Sequence, residues 1–342
     1  MASRGRDGAV SQLLVIETAW LGDVVFVSSL VQALKIRWPD ARLTLLCAPR
    51  GRDVGACMPG VDEVLVYDKH GADRGATALL RLGRALRARR FDLCVAPHRS
   101  ARSAVVAALS GAPVRVGYAS VAGAVCFTTA VPGRGGRFAE RDLALARALG
   151  IDAAPPPRLE LTGAAREQAA AVLASKGVGP QTRLAGLVLG SEWATKRWPA
   201  ARFGEAGRAL LAQGLTPLLL GAPGEKALAA EVLAACPGAV DTVGNPILEA
   251  LGLLGRCELV IGGDSGLVHA ARALGKPAVV LFGPTDPELH RWRDADRPVW
   301  LALECAPCSA HGQRTCPLGH HRCMKDLPVE TVLGAARELA PS

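Results

Sequence analysis

The strongest constraint on this chain is a rhythm. Short β-branched apolar runs alternate with longer stretches of helical spacing, at intervals of roughly 25–30 residues, and that alternation builds parallel sheets from βαβ units. Leu13–Ile16, Leu43–Cys47, Val64–Val66, Leu93–Ala96 and Val114–Val116 read as strands. Val24–Trp38, Ala76–Arg90 and Ala101–Leu109 read as helices; Val24, Val27, Leu30, Val31, Leu34 and Trp38 share a face of the first.

Pro155, Pro156 and Pro157 interrupt the rhythm, because consecutive prolines continue neither a helix nor a central strand. They favour an extended spacer and so a domain boundary. A second alternation follows. Its strands are Leu184–Leu189, Pro217–Leu220, Val240–Val243, Leu259–Ile261 and Ala278–Phe282. Its helices are Ala164–Lys176, Ala201–Gln213, Glu225–Ala235, Leu248–Gly255 and Leu267–Leu274, with a terminal helix at Pro328–Leu339. The expectation is an α/β chain of two Rossmann-like doubly wound domains, residues 1–158 and 159–342, facing a central cleft. One α/β domain with a long insertion is the alternative.

Charge narrows the partners. Lys and Arg number 40 against 31 Asp and Glu, a formal net charge of +9, which suits nucleic acid, a membrane surface or an anionic small ligand. Arginines are spread among acids through both halves and only 4% of residues are aromatic, which argues against a nucleic-acid surface. No run approaches the ~18–20 apolar residues of a membrane span. Arg4 and Arg6 precede no signal-peptide core before Glu17, so a soluble, cytoplasmic protein is expected. Ten cysteines in such a chain are expected to be mostly reduced.

Five segments carry chemistry. Glu17–Asp23 follows the first strand, and it lacks the G-x-G-x-x-G dinucleotide fingerprint. Asp23 either caps the following helix or offers a carboxylate held in fixed orientation; the two are compatible. Gly190–Pro199 gathers Ser191, Thr195, Lys196 and Arg197 after a strand, a solvated basic loop or a phosphate site. Gly262–His269 runs from a strand through a glycine-rich turn into a helix, where free N–H groups favour an anion over a mere N-cap at Asp264 or Ser265. His269 is either structural or turned toward the same ligand. Glu225 either holds ribose hydroxyls or is an ordinary helix N-terminal acid. Finally, Cys305-x2-Cys308-x7-Cys316-x6-Cys323 has His311, His320 and His321 interleaved. A structural zinc site, packed reduced thiols and a disulfide or redox pair are all open readings, and none offers an open catalytic coordination position.

Taken in order, these segments resemble the ADP-heptose:lipopolysaccharide heptosyltransferases, inverting sugar transferases of the GT-B fold. Three motif groups carry the resemblance across Leu13 to Val332: Trp20–Val25, then Gly190-Ser191-Glu192 with Lys196–Pro199, then Gly263–His269 with Phe282–Pro287. The Trp-x-Gly-Asp opening, the Lys-Arg-Trp-Pro run and the cysteine tail are most similar to the heptosyltransferase II group. Ser191, Trp193-Ala194-Thr195 and Gly263 depart from that group's usual residues.

The resemblance implies specific roles. Asp23 is the general base. Ser191, Lys196, Glu225, Asp264, Ser265, Gly266 and His269 bind the nucleotide sugar, with the N–H groups of Asp264, Ser265 and Gly266 receiving the diphosphate. Residues Asn245–Leu248 are a weaker candidate for lining adenine. No cofactor is required, the donor is ADP-heptose, and the acceptor is a lipid A–core saccharide at the cytoplasmic face of the inner membrane, to which the enzyme is peripheral. Another nucleotide-sugar transferase or an epimerase of the same fold is the nearest alternative. A basic nucleic-acid-binding protein with a zinc module is the distant one.

Overall fold

A computed structural model describes residues 10–133, 136–137, 142–291 and 293–339; Arg4 and Arg6 lie outside them. The chain divides into two compact units, Met1–Pro157 and Arg158–Ser342.

In the first unit β1 (Gln12–Glu17), β2 (Arg42–Cys47), β3 (Glu63–Val66), β4 (Leu93–Ala96), β5 (Val114–Tyr118) and β6 (Thr129–Val131) form a parallel sheet in the order 3-2-1-4-5-6. The central strand reads as an unbroken apolar run because both its faces are covered: Leu13, Leu14, Val15 and Ile16 are all buried. Helices α1 (Leu21–Arg37), α2 (Arg52–Ala56), α3 (Ala76–Ala88), α4 (Ala101–Leu109) and α5 (Leu143–Arg147) connect or cover the strands. α1 buries Val24 through Val31 almost without interruption, so its serines need internal partners. Ser28 Oγ donates to the Val25 carbonyl at 2.6 Å and Ser29 Oγ to the Pro155 carbonyl at 2.6 Å. Gln32 Nε2 adds a bond to the Pro156 carbonyl at 3.1 Å. The proline run is therefore fastened to α1 at its carbonyls, which proline leaves free, and is part of the first unit's packing rather than a loose spacer.

The second unit repeats the plan. Strands β7 (Leu184–Val188), β8 (Thr216–Leu220), β9 (Val240–Asp241), β10 (Leu259–Gly263), β11 (Ala278–Phe282) and β12 (Asp296–Trp300) form a parallel sheet ordered 12-11-10-7-8-9. Helices α6 (Gly163–Ser175), α7 (Ala200–Ala212), α8 (Lys226–Ala235), α9 (Ile247–Arg256), α10 (Gly266–Ala273), α11 (Arg322–Lys325) and α12 (Val329–Leu339) accompany it. Strand order reverses between β1 and β4 in one sheet and between β7 and β10 in the other, and ligands of such sheets bind beyond the strand ends at that point. Glu17–Asp23, Gly190–Pro199 and Gly262–His269 are the loops there, as expected from the sequence.

Among the described residues no helix is long and apolar enough to cross a membrane. The edge strands β6 and β12 went unread in the sequence. β6 has three residues, and β12 carries Asp296, Arg297 and Pro298, a composition tolerated only at a sheet edge.

Candidate active site

The second unit's switch point is built around a buried carboxylate. Asp264, at the end of β10, is 2% exposed. Lys196 Nζ donates to its Oδ2 at 2.5 Å and Thr285 Oγ1 to the same oxygen at 2.9 Å. His290 Nε2 lies 3.4 Å from Oδ2. His269 Nε2 stands 2.8 Å from Oδ1. Arg272 Nη1 donates to His269 Nδ1 at 3.1 Å, which leaves the proton of a neutral ring on Nε2, directed at Asp264. Arg272 also grips Asp296 Oδ2 at 2.8 Å and the His290 carbonyl at 2.8 Å. Burial alone would raise the Asp264 carboxyl, but His290, His269 and Lys196 more than offset it and hold it well below its ordinary value. Burial keeps both imidazoles neutral against the pull of Asp264; His290 is pushed down to about 3.

Local chemistry explains how Lys196 reaches this position. Trp198 buries its ring edge-on to Phe203 at 5.0 Å and donates Nε1–H to the Leu327 carbonyl at 3.1 Å. Pro199 then starts α7. The loop ahead of that anchor is tied by Arg197, whose Nε and Nη2 donate to the Ser191 carbonyl at 3.0 and 2.8 Å. Ser191 Oγ faces the Asp264 carbonyl at 3.4 Å.

Beside this network lies a helix start without a partner. No side chain caps α10, and Ser265 Oγ is buried with no hydrogen-bond partner. Uncapped N–H groups, a partial positive charge and an unused hydroxyl together suit an anion.

Glu225 sits at the ends of β7 and β8, 7% exposed. Its Oε2 accepts the Ala222 N–H at 2.7 Å, and burial raises its carboxyl. A Cβ on Gly190 would stand 1.5 Å from Glu225 Oε1, so glycine is required there for the carboxylate to enter. The local helix-start role and a niche at the strand ends are thus realised together. On the same rim, Gly244 N donates to the Gly221 carbonyl at 2.9 Å, and the neighbouring Asn245 Nδ2 is buried without a partner.

One expectation needs correction. The Asp264 N–H donates to the Leu281 carbonyl at 3.1 Å, so it continues the sheet and is not offered to a ligand. His269, expected at the nucleotide sugar, is 3% exposed and contacts Asp264 Oδ1 through Nε2. Arg272, His290 and Asp296 were not singled out from the sequence, and Thr285 stood in the Phe282–Pro287 motif without a role. Arg272, one turn from His269, leaves a local trace.

The cluster also bears on a metal. Among the described residues, Asp264, His269 and His290 have ligand atoms within 4.8 Å of one another. Their chemistry does not fit a cation. Lys196 already neutralises the carboxylate, both Asp264 oxygens are engaged, and Arg272 occupies the outer nitrogen of His269. A divalent ion would have to displace a buried ammonium.

The first unit's switch point is different. Asp23 lies in the first turn of α1, where the Trp20 N–H reaches its Oδ2 at 3.3 Å, and its side chain is only half-buried. Cations gather at the neighbouring strand ends. The Arg50 guanidinium lies 4.4 Å from the centre of the exposed Trp20 ring, and Arg99 stands 4.4 Å over Tyr118. Lys69 Nζ donates to the Thr18 carbonyl at 3.0 Å, and Arg102 to the Lys69 carbonyl at 3.4 Å. Burial and then Arg102 hold the Lys69 ammonium below its usual range. His98 Nδ1 bridges Thr18 Oγ1 at 2.9 Å and Ser103 Oγ at 3.0 Å. The sequence reading missed these cations; their signal is a basic residue just beyond successive strands.

Comparisons with known proteins bear on the family and the fold. Residues 79–319 match the family model described as glycosyltransferase family 9 (heptosyltransferase). The chain is similar to lipopolysaccharide heptosyltransferase 2 of Salmonella typhimurium, 29% identical over 298 residues, covering 81% of this chain and 84% of that protein. In fold it resembles a family 9 glycosyltransferase from Veillonella parvula, with TM-score 0.86, 21% identity and coverage of 98% and 99%. It likewise resembles Escherichia coli ADP-heptose lps heptosyltransferase II, with TM-score 0.80, 23% identity and coverage of 96% and 98%. The family read from the ordered motifs is the family found, and the chain belongs to glycosyltransferase family 9, the heptosyltransferases.

Proposed function

We propose that this enzyme transfers heptose from ADP-heptose to a heptose of the lipopolysaccharide inner core, inverting the anomeric centre, as a heptosyltransferase II. The observation that carries the donor half is the uncapped start of α10 with the unpartnered Ser265 hydroxyl, beside Lys196. A nucleotide diphosphate brings the anion that this helix start lacks. Lys196 keeps N–H donors beyond the one given to Asp264 and shares them with the diphosphate. Glu225 receives the ribose hydroxyls and Asn245 lies toward the base. The second unit is thus the donor domain and the first the acceptor domain.

Asp23 accepts the proton of the acceptor hydroxyl as its oxygen bonds to the anomeric carbon. The bond from that carbon to the diphosphate oxygen breaks, and ADP leaves with the electron pair. A phosphate leaving group departs as an anion, so one carboxylate suffices where a glycosidase needs two. Charge builds on the departing diphosphate, and the helix start of α10 and Lys196 stabilise it. Arg50, Lys69, Arg99 and Arg102 suit the anionic groups of the acceptor, and the +9 net charge suits peripheral residence at an anionic membrane face.

The test is donor and acceptor profiling. The protein is incubated with ADP-heptose, ADP-glucose or UDP-sugars and with defined cores carrying no, one or two heptoses. Transfer from ADP-heptose to the one-heptose core is expected. Transfer only from UDP-sugars, or only to the heptose-free core, contradicts the reading.

A further inference from the structure

Lys196 is held at both ends. Asp264 fixes its ammonium, 2.5 Å away. Its root is fixed from elsewhere, by a segment the reaction does not otherwise use. Residues 301–321 run between β12 and α11 without regular structure. A loop of that length inside a compact domain commonly has a function. The sequence grouped Thr195 with the hydroxyls of a phosphate site, but its side chain is turned to this segment instead. Thr195 is buried, and its Oγ1 donates to the carbonyl of Gln313, 118 residues further on, at 2.8 Å. The same Oγ1 accepts the Gln313 N–H at 2.9 Å. The Thr195 N–H also donates to the Gln313 carbonyl, at 3.3 Å, and the Thr195 carbonyl lies 2.7 Å from His321 Nε2. A carbonyl only accepts, so the His321 ring donates through Nε2–H. Every polar atom of Thr195 is thus engaged by the segment after β12.

Lys196 itself packs against the same segment. A Cβ on Gly312 would stand 2.8 Å from Lys196 Cε, and one on Gly263 would stand 2.5 Å from the Lys196 carbonyl oxygen. Glycine at both places lets backbone close on the stem and on the carbonyl of the lysine. The segment is built to stay in place. Cys308 N and Ser309 N both donate to the Pro284 carbonyl at 2.9 Å. Ser309 Oγ accepts the Gly312 N–H at 2.9 Å and the His311 N–H at 3.2 Å, which folds the turn that carries Gly312. His321 has φ +55°, a left-handed conformation uncommon outside glycine, at the start of α11. Such a residue persists where its surroundings dictate it, and such residues gather at functional sites.

We propose that Thr195 and His321 are positioning residues for Lys196: joined to each other and to Gln313, they fix the root of the lysine so that its ammonium is in place before charge develops on the departing diphosphate. This rests on the reading of Lys196 as a diphosphate ligand. A lysine is a point charge on a flexible four-carbon stem. Its ammonium stabilises developing charge at full strength only where it needs no reorganisation during the reaction. Asp264 sets the partner of the ammonium, and the clasp around Thr195 sets the place from which the ammonium is presented. Thr195 and His321 act through Lys196, and no contact with the donor is assigned to either.

The test uses paired variants of the full-length protein. Thr195→Val keeps the shape and removes the hydroxyl, whereas Thr195→Ser keeps the hydroxyl. His321→Asn tolerates the left-handed backbone but its amide falls short of Thr195, whereas His321→Gln carries a donor amide as far out as Nε2. For each, melting, ADP-heptose affinity and the single-turnover rate of transfer to a one-heptose core are measured. Thr195→Val and His321→Asn should lose about 10–100-fold in rate per folded enzyme, with donor affinity held within about threefold. Thr195→Ser and His321→Gln should recover most of that loss. Lys196→Met should lose about 10²–10³-fold, and Thr195→Val added to it should cost less than about twofold more, because both act through one ammonium. Losses that simply add overturn the proposal and leave the donor-site reading standing. Undiminished transfer by Lys196→Met overturns that reading and the proposal with it. If Lys196→Met fails to fold, the paired variants decide: loss and recovery at unchanged melting temperature support the proposal, and no loss, or a loss that only follows the unfolded fraction, overturns it.

Discussion

Two aspartates stand at the switch points of the two units, on opposite sides of the strand-order reversal, and their surroundings differ. Each follows a central strand at the start of a helix, Asp23 after β1 and Asp264 after β10. Asp23 accepts the Trp20 N–H and has a half-buried side chain and a rim of cations on neighbouring strand ends. Asp264 is sealed by Lys196, Thr285, His269 and His290, with Arg272 and Asp296 behind. A carboxylate that must take a proton from a substrate needs an accessible oxygen. One that must hold a lysine in place needs the reverse. On the proposed reading, an accessible carboxylate serves the reaction in one unit and a sealed one serves as an electrostatic frame in the other, and what surrounds the strand end decides which.

The comparison breaks most visibly at Asp264. Asp264→Asn leaves the Lys196 ammonium buried without its counter-charge, and breaking a buried pair costs about 3–5 kcal/mol. Denaturant unfolding of Asp264→Asn should show that loss, and Asp264→Asn with Lys196→Met should recover part of it. A loss under about 1 kcal/mol would mean that the pair is not the frame described. Acid should reach the same frame. His290 is held at about 3 and His269 is also lowered, whereas an unfolded histidine titrates near ~6.5. Below pH ~6.5 the unfolded chain therefore binds protons that the folded one refuses, and stability falls as pH falls. The slope is about 1.4 kcal/mol per pH unit for each such histidine. Melting measured between pH 7 and ~5.5, where most carboxylates are still ionised, should show this decline, and His290→Gln should reduce it.

A smaller effect separates ligand binding from folding. Ser265 Oγ has no partner in the protein, so Ser265→Ala should leave the melting temperature unchanged. It should weaken ADP binding by about 2–10-fold, the worth of one hydrogen bond. Calorimetry on this variant, beside a thermal melt, checks both halves. Destabilisation without an affinity change would contradict the anion assignment at α10.

The readable and unreadable parts of this molecule divide along a physical line. Turn chemistry is local, so Gly263–Gly266 and Gly190–Pro199 announced strand-to-helix loops and fell at the switch point. Apolar runs such as Leu13–Ile16 announced central strands because both faces are buried. The frame around Asp264 was not readable, because Lys196, Thr285, His290 and Asp296 come from four separate segments and meet only in the fold. Sequence spacing alone left His269 open between ligand and structure, and the resemblance made it a donor-site residue; the fold adds its 2.8 Å contact with the sealed Asp264 carboxylate, which no spacing announces. The cation rim near Asp23 escaped for a related reason. Arg50, Lys69, Arg99 and Arg102 are ordinary surface residues along the chain and become a group only at the strand ends of a sheet.

The division of labour between the two aspartates is tested most directly by Asp23→Asn, with ADP-heptose affinity and transfer rate measured on the same preparation. General-base removal costs about 10²–10⁴-fold in rate. The account predicts a loss of that size with donor affinity held within about twofold, because Asp23 belongs to the first unit and the donor groups to the second. Transfer near the wild-type rate, or a loss explained by weakened ADP-heptose binding, would contradict it.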